Sequence, residues 1–168
     1  HLIRARCVVA ASLALLLFAG TAAGKVLYVP QKYQLKSQWC WNASSQAILA
    51  YYGRNITQAS IGKYGTKGYN IANYIYGTGY LDGVYCRGCD KILSYYLGIK
   101  SKAYASSLSQ ATVWNEIKYN RPVLIRWKWN SGGGHILVLK GLGGTTVNLM
   151  DPWPANGPTV NSFNWVRS

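Results

Sequence analysis

The chain has 168 residues, 49% of them apolar, so it can form a hydrophobic core and is long enough for one ordinary domain. Its 18 Lys and Arg residues outnumber its 4 acidic residues, which gives a formal net charge of +14. This shortage of carboxylates excludes a large acidic calcium site and an acidic tail, and it nearly excludes catalysis by paired carboxylates. Histidine is equally scarce, because only His1 and His135 are present.

Residues 1–24 have the layout of a secretory signal peptide. Arg4 and Arg6 precede an apolar run over residues 8–18, and small residues follow it. The run is shorter than the ~20 residues that a membrane-spanning helix needs, although an N-terminal membrane anchor is the alternative. We therefore expect a secreted or periplasmic protein that keeps no membrane span after cleavage, with a single domain over residues 25–168. Cleavage would leave His135 as the one histidine of that domain.

The first part of this domain is predicted to be mainly helical. An extended lead-in covers residues 25–34, and residues 65–83 are rich in Gly and Tyr without a clear period. Thr57 and Ser109 have the side chains of helix N-caps, while Gly53 and Gly98 are placed to end helices. Apolar spacing then predicts four helices, over residues 41–52, 57–64, 90–97 and 109–119.

The last part of the domain is predicted to be a sheet. Pro122 ends the preceding helix, and strand-like runs separated by glycine-rich turns follow it over residues 123–129, 135–139, 145–150 and 159–166. The second and third of these runs are expected to form a hairpin around residues 141–144. Helices followed by strands are typical of an α+β domain.

The cysteines leave one thiol without a structural explanation. Cys7 lies in the predicted signal peptide, and Cys86 and Cys89 form a Cys-x-x-Cys pair. In an exported chain this pair predicts either a possible local disulfide or two inert thiols; a zinc site lacks further ligands. Cys40 is then the odd thiol, and it falls at the start of a predicted helix, where unpaired N–H groups favour a thiolate.

Three further residues are placed to assist a Cys40 thiolate. His135 follows three glycines and opens a predicted buried strand, so its ring can project into a cleft. Asp151 ends the next strand and can return to His135 through the hairpin, where a carboxylate would fix the imidazole tautomer. Gln34 precedes the Cys40 helix, and its amide can donate to an oxyanion. Each residue has an ordinary structural explanation when taken alone, but together they fill four catalytic roles.

The sequence around these residues resembles the papain-like cysteine peptidases. The similarity rests on Val29-Pro30-Gln31-x2-Gln34-x3-Gln38-Trp39-Cys40-Trp41, on Gly134-His135-x-Leu137-Val138 and on Asp151-Pro152-Trp153. It is greatest with the compact bacterial branch, which includes bacteriocin-leader-peptidase-like proteins and avirulence-type effectors.

The resemblance implies a papain-like α+β fold, in which the nucleophile helix precedes an antiparallel sheet that carries the histidine and the aspartate. It assigns Cys40 as nucleophile, His135 as general base and acid, Asp151 as the residue that orients the ring, and Gln34 as oxyanion donor. It requires no cofactor and no metal. We expect four neighbouring residues to contact substrate, namely Trp39, Trp41, Gly133 and Gly134.

Two features depart from the family pattern. Asn42 stands where relatives usually carry a small alanine, and we expect its side chain to face away from the thiol. The segment between Cys40 and His135 is also shorter than in papain itself, so the substrate-cleft elaborations of larger enzymes are missing.

Two other classes of function remain open at the level of sequence. One is a related Cys–His enzyme, such as a peptidoglycan amidase or an acyltransferase. The other is a non-catalytic binding module, favoured by 14 Tyr and 7 Trp among dispersed basic residues. The chain has no basic run and no nucleic-acid motif, so we expect no specific nucleic-acid partner. The leading prediction is a monomeric peptidase that cleaves a protein or peptide substrate, with the positive charge favouring an acidic one.

Overall fold

The computed structural model describes residues 23–104, 106–130 and 132–167, so almost all of the predicted signal peptide lies outside the described residues. The helices and strands within these ranges follow in this order: β1 Lys25–Val26, α1 Cys40–Tyr51, α2 Gln58–Thr66, β2 Thr78–Leu81, β3 Val84–Arg87, α3 Cys89–Leu97, α4 Gln110–Lys118, β4 Val123–Lys128, β5 Gly134–Gly143, β6 Thr146–Met150, β7 Pro158–Ser162 and α5 Phe163–Arg167.

The main sheet is antiparallel and is centred on β5. One side of β5 pairs with β4 and, further along, with β1, while the other side pairs with β6, which in turn pairs with β7. The long strand β5 is buried along most of its length, because Ile136, Leu137, Val138 and Leu139 all lie in the core. This arrangement confirms the α+β class and the hairpin between β5 and β6, although residues 141–143, which were predicted to belong to the turn, continue β5, and the turn itself lies at residues 144–145.

Helix α1 lies at the centre of the molecule, between β5 on one side and α2 and α3 on the others. Its residues Ala43, Ser44, Ser45 and Ala47 are all buried, and such small side chains let neighbouring elements approach closely. The Ser44 hydroxyl donates to the Ile136 carbonyl at 2.9 Å, which fixes the helix to the sheet. A helix enclosed on three sides holds its first residue in a fixed position relative to β5.

Two tryptophans at the start of α1 pack against glycines of α2. A Cβ at Gly62 would lie 2.7 Å from the Trp39 ring, and a Cβ at Gly65 would lie 2.7 Å from the Trp41 ring. The indole N–H of Trp39 donates to the Tyr69 carbonyl and that of Trp41 to the Ile71 carbonyl. Both rings are therefore core residues that seat the start of α1.

Local capping chemistry agrees with the helix predictions. The Thr57 hydroxyl accepts from the Ser60 N–H at the start of α2, and the Ser109 hydroxyl accepts from the Thr112 N–H at the start of α4. Gly98 ends α3 in the left-handed conformation, with φ 71°.

One hairpin was missed, and the end of one strand was predicted wrongly. The hairpin of β2 and β3 was not predicted, although Asp82-Gly83 at its turn has the positive φ values, 49° and 73°, of a two-residue hairpin loop. The run 159–166 was predicted to be one strand, but the strand β7 ends at Ser162 and Phe163 begins the short helix α5. Phe163 is buried in the core, which holds the chain in the turn onto α5.

In the described part of the chain, every helix is too short or too polar to cross a membrane.

Candidate active site

Cys40 is the first residue of α1 and is partly exposed, so its thiol is accessible at the molecular surface. It lies within hydrogen-bonding reach of the His135 ring. The backbone N–H of Cys40 donates to no carbonyl among the described residues, as expected at the first position of a helix. The start of α1 therefore brings together the Cys40 thiol, the His135 imidazole and the backbone N–H of Cys40.

His135 connects Cys40 to Asp151. Its Nε2 atom lies 2.7 Å from Oδ1 of Asp151, and both side chains are buried. With Nε2 engaged in this way, Nδ1 is the ring nitrogen left to face the thiol. The register of the sheet explains the approach, because β5 begins beside His135 and its neighbour β6 ends at Met150, immediately before Asp151.

The electrostatics of the pair favour a charged imidazole. Burial alone would lower the pKa of His135, but hydrogen bonds and charge interactions with Asp151 and Cys40 outweigh it and raise that pKa to about 9. Burial would likewise raise the pKa of Asp151, but hydrogen bonds from His135, the Trp153 N–H and Asn156 lower it below its usual value. A carboxylate paired with an imidazolium is therefore the favoured state at neutral pH.

Three residues hold Asp151 in place. The Trp153 N–H donates to Oδ1 at 2.9 Å, and the Asn156 amide donates to Oδ2 at 2.8 Å. The Gln31 amide donates to the Asp151 backbone carbonyl at 2.5 Å. The carboxylate is thus fixed from both oxygens and through its main chain.

The sequence pointed to Asp151 but missed Asn156. Asn156 stands between Pro154 and Gly157, and an Asn-Gly pair there indicates only a turn. The contact between Asn156 and Asp151 depends on how the chain turns between residues 151 and 157, so the sequence gives no sign of it.

Indole rings surround the imidazole. Trp129 lies nearly parallel to it, with ring centroids 6.3 Å apart, and Trp153 meets it edge-on at 6.2 Å. Trp129 and Trp153 are each about half exposed, so they form walls on either side of the histidine. Such walls limit the access of water to the pair.

Gln34 lies beside the site, but its amide is engaged elsewhere. Its Nε2 atom donates to the carbonyls of Lys36 at 3.0 Å and Ser37 at 2.8 Å, and its backbone N–H donates to the Pro152 carbonyl. Both amide hydrogens therefore have acceptors, and donation to an oxyanion would require one of these bonds to open. The oxyanion role of Gln34 stays a prediction.

The four residues that were expected to contact substrate differ in their exposure. Trp39 is 3% exposed and Trp41 is 0% exposed, so the prediction that they contact substrate was wrong, because both rings are needed to seat α1. Gly133 is exposed next to Trp129, and its contact with substrate stays a prediction. Gly134 belongs to β5, where a Cβ would lie 2.2 Å from the Trp127 carbonyl, so close strand pairing already accounts for this glycine.

Cys86 and Cys89 are free thiols in the structure, which is one of the two possibilities, disulfide or inert thiols, that the sequence left open. Cys86 donates to the Val84 carbonyl at 3.3 Å, and Cys89 lies 3.8 Å from the Trp41 carbonyl. The two thiols therefore face acceptors on different elements, β3 for Cys86 and α1 for Cys89. Burial raises the pKa of Cys86, and it raises the pKa of Cys89 to about 12.

Asn42 faces away from the thiol, as the sequence predicted. Its amide donates to the Gln58 carbonyl at 2.9 Å, so it connects α1 to the start of α2. In addition, no three His, Cys, Asp or Glu side chains of the described residues are grouped so that they could hold a metal ion.

Comparison with known proteins agrees with this geometry. The family model described as papain-like cysteine protease AvrRpt2 matches residues 24–167. The fold is similar to that of a protein described as a C39-like peptidase from Bacillus anthracis, with a TM-score of 0.57 and 17% identity over 86% of this chain and 90% of that one. A search of curated proteins gives no significant match. The fold is thus that of a papain-like peptidase, and the chain belongs to the AvrRpt2 family of papain-like cysteine proteases.

Proposed function

We propose that this cysteine peptidase hydrolyses peptide bonds through a triad of Cys40, His135 and Asp151. The observation that carries the proposal is the position of the buried His135 ring: its Nε2 atom lies 2.7 Å from Asp151, and the Cys40 thiol at the start of α1 is near enough to raise the pKa of the ring. A histidine in this position can accept the thiol proton, and the carboxylate stabilises the imidazolium that results.

The first half of the reaction transfers an acyl group to the enzyme. The Cys40 thiolate attacks the carbonyl carbon of the scissile bond, and a carbon–sulfur bond forms. The C–N bond then breaks as the His135 imidazolium gives its proton to the leaving amine. The free N–H of Cys40 supports the negative oxygen of the tetrahedral intermediate.

The second half releases the acyl group as a carboxylic acid. His135, now neutral, takes a proton from water, and the oxygen of that water attacks the thioester carbon. The carbon–sulfur bond breaks, and the Cys40 thiolate and the His135 imidazolium are restored. Asp151 remains charged throughout and keeps the ring in one orientation.

Secretion and an acidic substrate are part of the same proposal. Residues 1–24 support export through their basic, apolar and small-residue segments. The formal net charge of +14 favours the approach of an acidic protein substrate or an anionic surface.

Active-site labelling and hydrolysis test the proposal together. The chain is incubated with iodoacetamide at pH 7, and the alkylated residue is identified by peptide mapping. We expect labelling at Cys40, because burial raises the pKa of Cys86 and of Cys89 and keeps both as thiols. The labelled enzyme should lose hydrolysis of casein in step with the extent of labelling.

Cys40→Ala is the control for this experiment and should neither be labelled within residues 25–168 nor cleave casein. Hydrolysis of casein at an unchanged rate by Cys40→Ala would disprove the mechanism. A labelled Cys40 in a protein that degrades cell-wall material but not casein would instead indicate a Cys–His amidase.

A further inference from the structure

Strand β4 forms one edge of the main sheet and borders a large cleft. It pairs with β5 along one side only, and none of its residues makes a backbone hydrogen bond elsewhere in the described chain. The cleft has a volume of about 1060 Å³ and lies between this edge and residues 99–104 and 106–108. Unpaired backbone groups along a strand edge are a template for a further strand.

Residues from both faces of β4 line the cleft. Val123, Ile125 and Trp127 alternate with Leu124 and Arg126, and all five line the cleft. The apolar residues among them are only partly buried, although they pack against the core. A strand added beside β4 would place its own alternate side chains on these two surfaces.

The cleft also carries uncompensated positive charge. Arg121 is paired with Glu116 at 2.5 Å. Lys100, Lys102 and Arg126, which also line the cleft, form no ion pair within 4.0 Å among the described residues, although Lys102 interacts with Glu116 over a longer distance. Asp90, the other acidic residue of the cleft, is paired with Lys91, so basic side chains remain in excess. The charge of the cleft is therefore complementary to an acidic ligand.

One buried donor in the cleft lacks an acceptor. The indole N–H of Trp127 is buried and has no partner within the described chain, although its ring packs against Trp165 at 4.8 Å. A buried donor without an acceptor is costly, and because this N–H is shielded from solvent, a carbonyl or carboxylate of a bound chain would satisfy it only after the indole shifted toward the cleft.

We propose that β4 is a substrate exosite, at which an extended acidic segment of the protein substrate adds as a strand to the sheet edge. The six residues of β4 set the length of the bound segment. Trp127 lies opposite His135 in the ladder between β4 and β5, so a segment on β4 places the following chain near the catalytic pair. The identity of the ligand as substrate rests on the proposed peptidase function; its binding does not.

Binding to Cys40→Ala tests the exosite without hydrolysis. The probe is a fluorescent eight-residue peptide of alternating valine and glutamate, and fluorescence anisotropy gives its Kd. A second peptide of the same sequence carries N-methyl groups on its glutamates, and a third carries them on its valines. N-methylation on one side of the strand removes its hydrogen bonds to β4, so one of these two peptides should bind at least tenfold more weakly.

Two double variants, one inside and one outside the cleft, test whether the peptide binds in the cleft. Lys100→Glu with Lys102→Glu, in the Cys40→Ala chain, should weaken binding of the acidic peptide at least tenfold. Lys63→Glu with Lys67→Glu makes the same change in net charge at two exposed lysines outside the cleft, and should change the Kd less than twofold. Hydrogen exchange should show that the β4 amides are protected when the peptide binds. Thermal unfolding of the two double variants should give similar Tm values, so that a difference in Kd does not come from a difference in folding.

The exosite is disproved if the peptide does not bind, if neither N-methylated peptide binds more weakly, or if both lysine pairs weaken binding equally. These outcomes leave the Cys40 labelling result untouched. Conversely, strand-like binding of the peptide to a chain whose Cys40 proves unreactive would uphold the β4 surface and reject the peptidase mechanism.

Discussion

Cys40 and Cys89 are each the first residue of a helix, in α1 and α3. Both therefore receive the field of a helix N-terminus, which favours a thiolate. Cys89 is fully buried, its thiol faces the Trp41 carbonyl at 3.8 Å, and burial raises its pKa to about 12. Cys40 is partly exposed and its thiol contacts His135. Comparison of the two shows that burial and the neighbouring group, rather than the helix terminus, decide whether a thiol can react.

The largest expected effect is the difference in activity between variants of Cys40 and Cys89. Cys40→Ala should lower kcat/KM for casein by at least about 10⁴-fold, because it removes the thiol that lies beside His135. Cys89→Ala should keep kcat/KM within about threefold while lowering the free energy of unfolding by roughly 1 kcal/mol through a small cavity. Casein hydrolysis and urea unfolding measure the two effects. Equal losses of activity in the two variants would refute the distinction between them.

The second prediction concerns the Asp151 carboxylate, whose negative charge stabilises the His135 imidazolium beside Cys40. Asp151→Asn should lower kcat by about 10²- to 10⁴-fold, since the imidazolium loses its carboxylate partner at 2.7 Å. Alkylation of Cys40 by iodoacetamide at pH 6 should slow as well, and this rate reports the thiolate independently of substrate. Asp82→Asn is the matched control, because Asp82 is an exposed carboxyl at the β2–β3 turn. A full alkylation rate in Asp151→Asn would mean that Cys40 does not depend on the pair.

The third prediction concerns the support of Asp151. Asn156→Ala removes one hydrogen bond to a charged oxygen and should lower kcat about tenfold. Asn156→Asp has the same shape but lacks the donor and adds a like charge, so its loss should be larger. Asn55→Ala, at an exposed position, should leave kcat unchanged. If Asn156→Asp retains full activity, the hydrogen bond to Asp151 has no catalytic role.

The smallest expected effect is on the pH dependence of stability. The folded His135 pKa of about 9 lies above the ordinary value of 6.5, so its stabilisation is complete below pH 6.5 and is lost as the pH rises to about 9. The lowered pKa of Asp151 acts oppositely: its stabilisation is present above pH 3.8 and is lost as the pH falls. Stability from this pair should therefore be greatest between about pH 4 and 6.5.

Thermal unfolding from pH 4 to 10 measures this dependence. Between pH 6.5 and 9 the wild type should lose roughly 5 °C in Tm more than Asp151→Asn loses. Cys89→Ala should follow the wild-type curve up to about pH 8, below the range in which its thiol titrates in the unfolded chain, because that thiol takes no part in the pair. Parallel curves for wild type and Asp151→Asn would show that the pair does not contribute to stability.

Much of the fold could be predicted because its signals are local. The caps at Thr57 and Ser109, the stop at Gly98 and the buried run of β5 depend on residues next to one another in the chain. The β2–β3 hairpin was missed although Asp82-Gly83 is such a local signal, because the surrounding residues lack clear alternation. Helix α5 was missed for another reason: its start depends on the burial of Phe163 against distant parts of the core.

The candidate triad could be predicted because titratable residues are scarce. Apart from His1, the sequence offers His135 alone, and its strand is followed by one carboxylate at the end of the neighbouring strand. The contacts made by Trp39, Trp41 and the Gln34 amide could not be predicted in this way. They involve partners distant in the chain or a side-chain orientation that depends on the turn at residues 34–37.

The sequence by itself determined which residue types were available and the order in which they enter the fold: one odd thiol at a helix start, one histidine opening a strand and one aspartate closing the next. Only the tertiary structure decided that Cys40 is accessible while Cys89 is buried, that Cys86 and Cys89 stay apart, and that Asn156 holds Asp151. The reason is physical: helix and strand formation depend largely on neighbours in the chain, whereas burial, desolvation and hydrogen bonds between distant segments exist only once the elements have packed.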